Sequence, residues 1–252
     1  MNFFRTSPLI EGLSFLLNDG AHGVCSYAVP LNNLNEHTKN MDIYLSSAYL
    51  PPVQYFTKLY GDNRIFVEQY DSYMKQTYRA RCMIDSPNGV LALTVPVEKF
   101  DTAKCLMKDV RISDHDKWRH NHWQALVSSY YTSPFFEYYQ DDFRPFYEKK
   151  WEFLMDFNEA LCAKCCELID MAPRMARTEA YKTDFGHDEL DLRSSIHPKK
   201  DFASDADFCP KEYYQVFSQK HGFLPNLSIV DLLFNMGPES LIVLRDSISR
   251  HD

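Results

Sequence analysis

A chain of 252 residues that is 45% hydrophobic and 25% charged has the composition of an ordinary globular protein, with an unusually large aromatic share of 15%. Its 27 basic against 35 acidic residues give a formal net charge of -8, and no Lys/Arg block has the length of a nucleic-acid-binding arm, so nucleic acid is not an expected partner. The 7 cysteines are odd in number and scattered, which argues against a disulfide framework and for a reducing compartment. No apolar run approaches the roughly 20 residues of a membrane span, and Glu11 and Asp19 stand where a signal peptide would be apolar. The expectation is a cytoplasmic protein that does not span a membrane.

Residues 1–40 show weak periodicity, with Gly20, Gly23 and Pro30 among them, and are expected to form a poorly ordered extension; Met41 is an alternative translation start. From Asp42 the pattern is a strand (Ile43-Tyr44-Leu45), a helix starting near Pro51-Pro52 and carrying Val53, Phe56 and Leu59, and a second strand at Ile65-Phe66-Val67. Such a β-α-β crossover implies parallel strands, with ligands beyond their carboxyl ends, so Ser46, Ser47, Tyr49 and the segment from Glu68 to Asp71 should border one crevice. The two prolines remove N–H donors from the helix start, which weakens a phosphate cradle there.

Two further strands, Tyr78 to Ile84 and Val90 to Val97, flank Asp85-Ser86-Pro87-Asn88-Gly89, which has the chemistry of a hairpin turn. Alternation then puts Arg79 and Arg81 on one strand face about 7 Å apart, with Lys75 just upstream. Two guanidinium groups that close call for solvent or a bridging anion such as a carboxylate or phosphate.

Ser113, with Asp116 three residues on, reads as the N-cap of an amphipathic helix whose Trp123, Leu126, Val127 and Tyr130 face the core. At 100° per residue His120 falls on one border of this stripe and His115 and His122 on the other, with Trp118 and Arg119 on the side of His122. Pro145 is expected to start a long scaffold helix through Tyr147, Trp151, Leu154, Leu161, Cys165 and Leu168, with polar Asn158 at the seam. Cys162-Ala163-Lys164-Cys165-Cys166 has a metal-like local spacing but no second pair at finger distance, so it reads as core, and no metal is expected. Residues 171–212 read as a long irregular excursion with short strands, and Ser228 with Asp231 as the capping box of a last helix ended by Gly237-Pro238. The last residues, 244–252, are expected to form a flexible tail.

Several blocks recur in an order with a known counterpart. They are Tyr49-Leu50-Pro51-Pro52 with Tyr55-Phe56; Lys75, Tyr78 and Arg81; Asn88-Gly89 before Leu93-Thr94-Val95-Pro96-Val97; Trp118, His122-Trp123, Tyr130 and Ser133-Pro134-Phe135-Phe136; and Leu227-Ser228-Ile229-Val230-Asp231-Leu232-Leu233-Phe234-Asn235 with Gly237. Together they resemble the WbqC-like family from residue 41 to about 240, and a single domain over 41–243 is expected. The chain has Ser46-Ser47 where that family commonly has Gln-Pro, and Ala80 where Asn often precedes the arginine. The resemblance implies a role in building bacterial surface polysaccharide, notably lipopolysaccharide O-antigen.

The fold expected is α/β, with a β-α-β start, an antiparallel ribbon and a large helical C-terminal half. The function expected is a transferase acting on a sugar or phosphate-bearing small molecule. His122 would be the general base, Lys75, Arg79 and Arg81 the anion holders, and Tyr49 and Trp118 further substrate contacts. The alternative is a noncatalytic module using the same basic face. The sequence specifies no cofactor and no oligomeric state.

Overall fold

The computed structural model describes residues 40–100 and 104–249, so the expected extension at residues 1–40 lies, but for Asn40, outside the described residues. The chain divides into two units, 1–37 and 38–252, and everything described belongs to the second. Strand β1 (Asp42–Ser46), helix α1 (Val53–Leu59) and strand β2 (Arg64–Glu68) make the crossover anticipated from their spacing, with β1 and β2 parallel in register from Asp42 opposite Arg64 to Ser46 opposite Glu68. Ile43, Tyr44 and Leu45 are all buried, as expected of a parallel strand covered on both faces.

Strands β3 (Arg81–Ile84) and β4 (Leu91–Thr94) form the hairpin. Ser86 and Gly89 exchange backbone hydrogen bonds of 3.1 and 3.0 Å across its turn. The hairpin is shorter than its apolar alternation suggested: Tyr78, Arg79 and Ala80 belong to the preceding turn.

The helical half comprises α2 (Trp118–Tyr130), α3 (Phe136–Glu148) and α4 (Leu154–Leu168), then α5 (Ser218–His221), α6 (Ile229–Met236) and α7 (Ser240–Asp246). Asp116 and Lys117 turn left-handed, at φ 60° and 50°, so α2 begins at Trp118, and the Ser113 hydroxyl accepts from the His115 N–H without capping the helix. Pro145 lies inside the last turns of α3, and the chain breaks between Lys149 and Phe153, so the single long helix expected from Pro145 is two helices. Pro145 has no N–H to donate to the Asp141 carbonyl, and α3 ends three residues later at Glu148.

Residues 171–212 supply what their length concealed. Within them β5 (Arg174–Arg177) and β6 (Glu189–Asp191) both pair in parallel with the opening strands, giving a four-stranded sheet in the order β5-β2-β1-β6. Helix α6 is apolar almost all round and packs against α1, α3, α4 and α7, as a central core helix must. Phe234 on it meets the rings of Tyr130, Phe136 and Phe143 edge-on at 5.2, 5.1 and 5.3 Å. Gly237 ends α6 at φ 54°, and a Cβ there would sit 2.5 Å from the Phe135 ring. Within the stretch expected as a tail, Leu244 and Ser247 are fully buried, and Cys209 N–H donates to the Ser247 carbonyl; residues 250–252 lie outside the described residues.

Candidate functional site

From β1 the chain runs to β2 and β5 on one side and later to β6 on the other, so the sheet changes direction between β1 and β6. Open parallel sheets bind ligands beyond the carboxyl ends of their strands at such a point. Here Ser46 and Ser47 leave β1, Leu192 and Arg193 follow β6, and Thr77, Tyr78 and Arg79 come from the loop after β2. Together they line a narrow crevice.

The crevice is held by buried ion pairs. Arg79 donates from Nη2 to the Asp71 carboxylate and, at 2.8 Å, to Ser46 Oγ, which in turn donates to the Arg193 carbonyl at 2.8 Å. The Arg193 guanidinium pairs with Glu68 at 2.7 Å and Asp191 at 2.8 Å and lies over the Tyr181 ring. Glu68, fully buried, also accepts from Tyr70 N–H and Thr178 Oγ1, each at 2.8 Å. A buried charge persists only with partners of this kind. Arg79 Nε and Asp71 Oδ1, however, are buried without a partner. Burial raises the Asp71 carboxyl above its ordinary pKa, a shift that Arg79 opposes.

The loop after β6 is tied to the loop after β2. Lys199 Nζ donates to Gln76 Oε1 at 2.7 Å, which fastens the His197–Lys200 turn to the segment carrying Lys75. The His197 imidazole is held below its ordinary pKa by burial and then by Lys200, Lys199 and Arg79. Of the charges that lower it, two belong to exposed lysines and the third, Arg79, is already paired with Asp71.

The WbqC-like protein family model matches residues 46–201, which takes in all of this crevice but Leu45, and the His197–Lys200 turn. The chain belongs to the WbqC-like protein family. It is also 25% identical over 222 residues to Uncharacterized protein Rv1507c of Mycobacterium tuberculosis, an alignment covering 80% of this chain and 96% of that protein. No solved structure matches it.

In this WbqC-like chain the residues expected to act together do not share one site. Arg79 is in the crevice and Lys75 is exposed beside it. Arg81 opens β3 and donates from Nε to Thr94 Oγ1 at 3.0 Å, so the two arginines do not share a strand face; Arg79 lies in the turn before the strand and is buried against Asp71. His122, Tyr49 and Trp118 meet elsewhere, in the core. The imidazole is not at the border of the α2 stripe but at its centre, because Trp118, His122, Leu126, Ser129 and Tyr130 form the buried face.

His122 is satisfied there. Its Nδ1 is 2.9 Å from the Tyr49 hydroxyl, which is also 2.9 Å from the Tyr147 hydroxyl, and its ring is bonded to the Thr94 backbone. Burial lowers its pKa to about 4, with the Thr94 bond opposing, so it is neutral at pH 7 with both nitrogens engaged. Tyr49 is fully buried, and Trp118, 4% exposed, stands edge-on to His122 at 5.1 Å; neither ring presents a face to a ligand. A poised base open to substrate is therefore not the arrangement found.

Sequence reasoning placed Ser46, Ser47, Tyr49 and the segment from Glu68 to Asp71 at the crevice through the strand-end rule; Ser46 and Ser47 line it and Glu68 and Asp71 pair with its arginines, while Tyr49 is fully buried in the core. It passed over Arg193, His197, Lys199 and Asn158. The first three lie in a segment whose strands are too short to announce themselves, and Asn158 read as scaffold. The signal that was available is the polar seam residue itself, since an amide in an apolar helix stripe needs partners.

Among the described residues no helix is long and apolar enough to cross a membrane. Asp231, expected as a helix cap, is instead a buried acceptor for Tyr130 at 2.8 Å, Tyr213 at 2.7 Å and Gln215 at 2.9 Å. The first N–H groups of α1 are likewise occupied, by the Leu227 carbonyl and the Asn226 side chain, both at 2.9 Å.

Proposed function

We propose that this WbqC-like protein is a cytoplasmic transferase that holds the anionic group of an activated sugar or related phosphate-bearing precursor at the carboxyl edge of its sheet. Its pathway would be the building of bacterial surface polysaccharide such as lipopolysaccharide O-antigen, as its family resemblance implies. The observation that supports the reading is the place of Arg79 in the crevice at the strand switch, with the turn that bears His197, Lys199 and Lys200 fastened to Gln76, three residues before it, through Lys199. Lys75, exposed next to Gln76 in sequence, adds a further positive charge.

Transfer to a sugar hydroxyl or amine needs a proton acceptor. Asp71 suits that role better than His122, because one carboxylate oxygen is fixed by Arg79 and the other has no partner, while burial makes the group more basic than an ordinary aspartate. His122 then acts from within the core, as part of the packing that positions the Tyr49 turn. The test is turnover of nucleoside-diphosphate sugars by wild type and Asp71→Asn. The reading expects binding retained and turnover reduced by ~10² to 10⁴, measured at a temperature where the variant, destabilised by the unpaired Arg79, is still folded. Unchanged turnover would remove Asp71 from the chemistry.

A second reading, a noncatalytic module for a phosphorylated ligand, draws on the engaged, neutral state of His122. It predicts ligand binding that depends on Lys199 and Lys200, with no turnover of any bound sugar nucleotide by the wild type.

A further inference from the structure

Helix α4 and edge strand β5 leave a groove of about 290 Å³ beside the end of β1. It shares Ser47, Ala48 and Tyr55 with the lining of the crevice, so the two spaces adjoin. The groove exists because alanines stand where larger side chains would fill it: Ala48 behind, Ala163 on α4 and Ala176 on β5. Its volume is at the small end for ligand pockets, the size of one sugar and its substituent rather than of a nucleotide. The charged groups at its rim, Glu159 and Arg177, are paired with each other at 2.5 Å, so the groove suits a neutral group.

Asn158 is the polar residue set into this wall, and it is 1% exposed. Its Nδ2 donates to Ser47 Oγ at 3.0 Å and to the Arg79 carbonyl at 2.8 Å. A carbonyl partner accepts only, which fixes the orientation of the amide and leaves Oδ1 as the free end. That oxygen is buried with no partner. Ser47 Oγ accepts from Asn158 and still has its own O–H to donate. The wall therefore offers an acceptor and a donor next to small apolar side chains.

We infer that this groove receives the acylamino group of the ligand, as in an N-acetylamino sugar. The methyl packs against the alanines, the amide N–H donates to Asn158 Oδ1, and the acyl oxygen accepts from the Ser47 hydroxyl. A purely apolar acyl chain would leave Asn158 Oδ1 unpaired, and a site built to hydrogen-bond a ligand N–H rejects analogues that lack it. The inference rests on the anion reading of the neighbouring crevice, with which the groove shares Ser47, Ala48 and Tyr55.

The test is calorimetric titration of the full chain with three probes: N-acetylglucosamine 1-phosphate, glucose 1-phosphate, and the uncharged methyl glycoside of N-acetylglucosamine. Each is repeated on Ala163→Leu, an exposed position on α4 where leucine keeps helix propensity and narrows the groove. The acylamino phosphate should bind at least ~10-fold more tightly than glucose 1-phosphate, and Ala163→Leu should erase that preference while leaving glucose 1-phosphate affinity unchanged. Equal affinities for the two phosphates, or a preference that survives Ala163→Leu, would overturn the assignment. Should the phosphates gain nothing over the methyl glycoside while the glycoside binds in an Ala163→Leu-sensitive way, the anion reading fails and the groove assignment stands. Absence of binding by all three probes overturns both.

Discussion

The Tyr49 hydroxyl lies 2.9 Å from His122 Nδ1, and that contact joins the turn after β1 to the centre of α2. The bond to the Thr94 backbone raises the pKa of the ring, which identifies the imidazole as its donor to a carbonyl. His122 is thus a neutral tautomer that accepts from tyrosine and donates to backbone. His122→Ala removes a buried ring and leaves Tyr49 short of a partner. It should cost about 2–4 kcal/mol of stability, measured by denaturant unfolding at pH 7. A loss below about 0.5 kcal/mol would mean the ring is not packed as described.

Two buried groups give pH dependences of opposite sign. The folded pKa of His122, about 4, is below its ordinary value of 6.5, so the unfolded chain binds the proton first and stability falls as pH drops from about 6.5 to about 4. Asp231 is raised from 3.8 to about 6 by burial, against the hydrogen bonds of Tyr213, Tyr130 and Gln215. The fold then holds a proton the unfolded chain releases, and stability falls as pH rises from about 4 to about 6. Each effect is of order 3 kcal/mol at most, so they largely offset in the wild type. Asp231→Asn should unmask the histidine: its stability should drop more steeply than wild type between pH 6.5 and 4.5. Parallel pH profiles for the two proteins would refute the Asp231 assignment.

Gly237 combines a left-handed φ of 54° with a Cβ position 2.5 Å from Phe135, a ring packed at the end of α6. Gly237→Ala pays for both strain and displacement of that ring, and should lower stability by about 2–4 kcal/mol. Thermal unfolding checks this, and a Tm within 2 °C of wild type would contradict it.

Arg79 and Asp71 form a nearly buried pair whose side chains are 6% and 10% exposed. Removing one charge leaves the other without compensation, at a cost of about 3–5 kcal/mol. Arg79→Met should therefore be much less stable than wild type, and the double variant Arg79→Met/Asp71→Leu should recover a substantial part of the loss. A double variant no more stable than Arg79→Met would show that the pair carries no such coupling.

The β-α-β opening was legible because Ile43-Tyr44-Leu45, the Val53 helix and Ile65-Phe66-Val67 are local patterns that alternate at their own periods. The hairpin was legible through Asn88-Gly89. Strands β5 and β6 were not, because Arg-Met-Ala-Arg and Glu-Leu-Asp are short and half-exposed, and only partners more than a hundred residues away make them strands. His122 was placed on a border because periodicity counts apolar residues, and the partners that let an imidazole enter the core, Tyr49 and Thr94, are distant in sequence. The pairing of Arg79 with Asp71 was hidden for a related reason: alternation extended the strand back through a turn. The strand-end rule nevertheless located Ser46, Ser47 and Asp71, since it depends on topology and needs no side-chain detail.

Titration of glucose 1-phosphate into wild type and into Lys199→Ala/Lys200→Ala, followed by calorimetry at two salt concentrations, reads the anion site at its exposed rim, where substitution leaves the fold intact. The double variant should bind at least ~10-fold more weakly, and the wild-type affinity should fall as salt rises. Equal affinity in both proteins, insensitive to salt, would contradict an anion site at the carboxyl edge of this sheet.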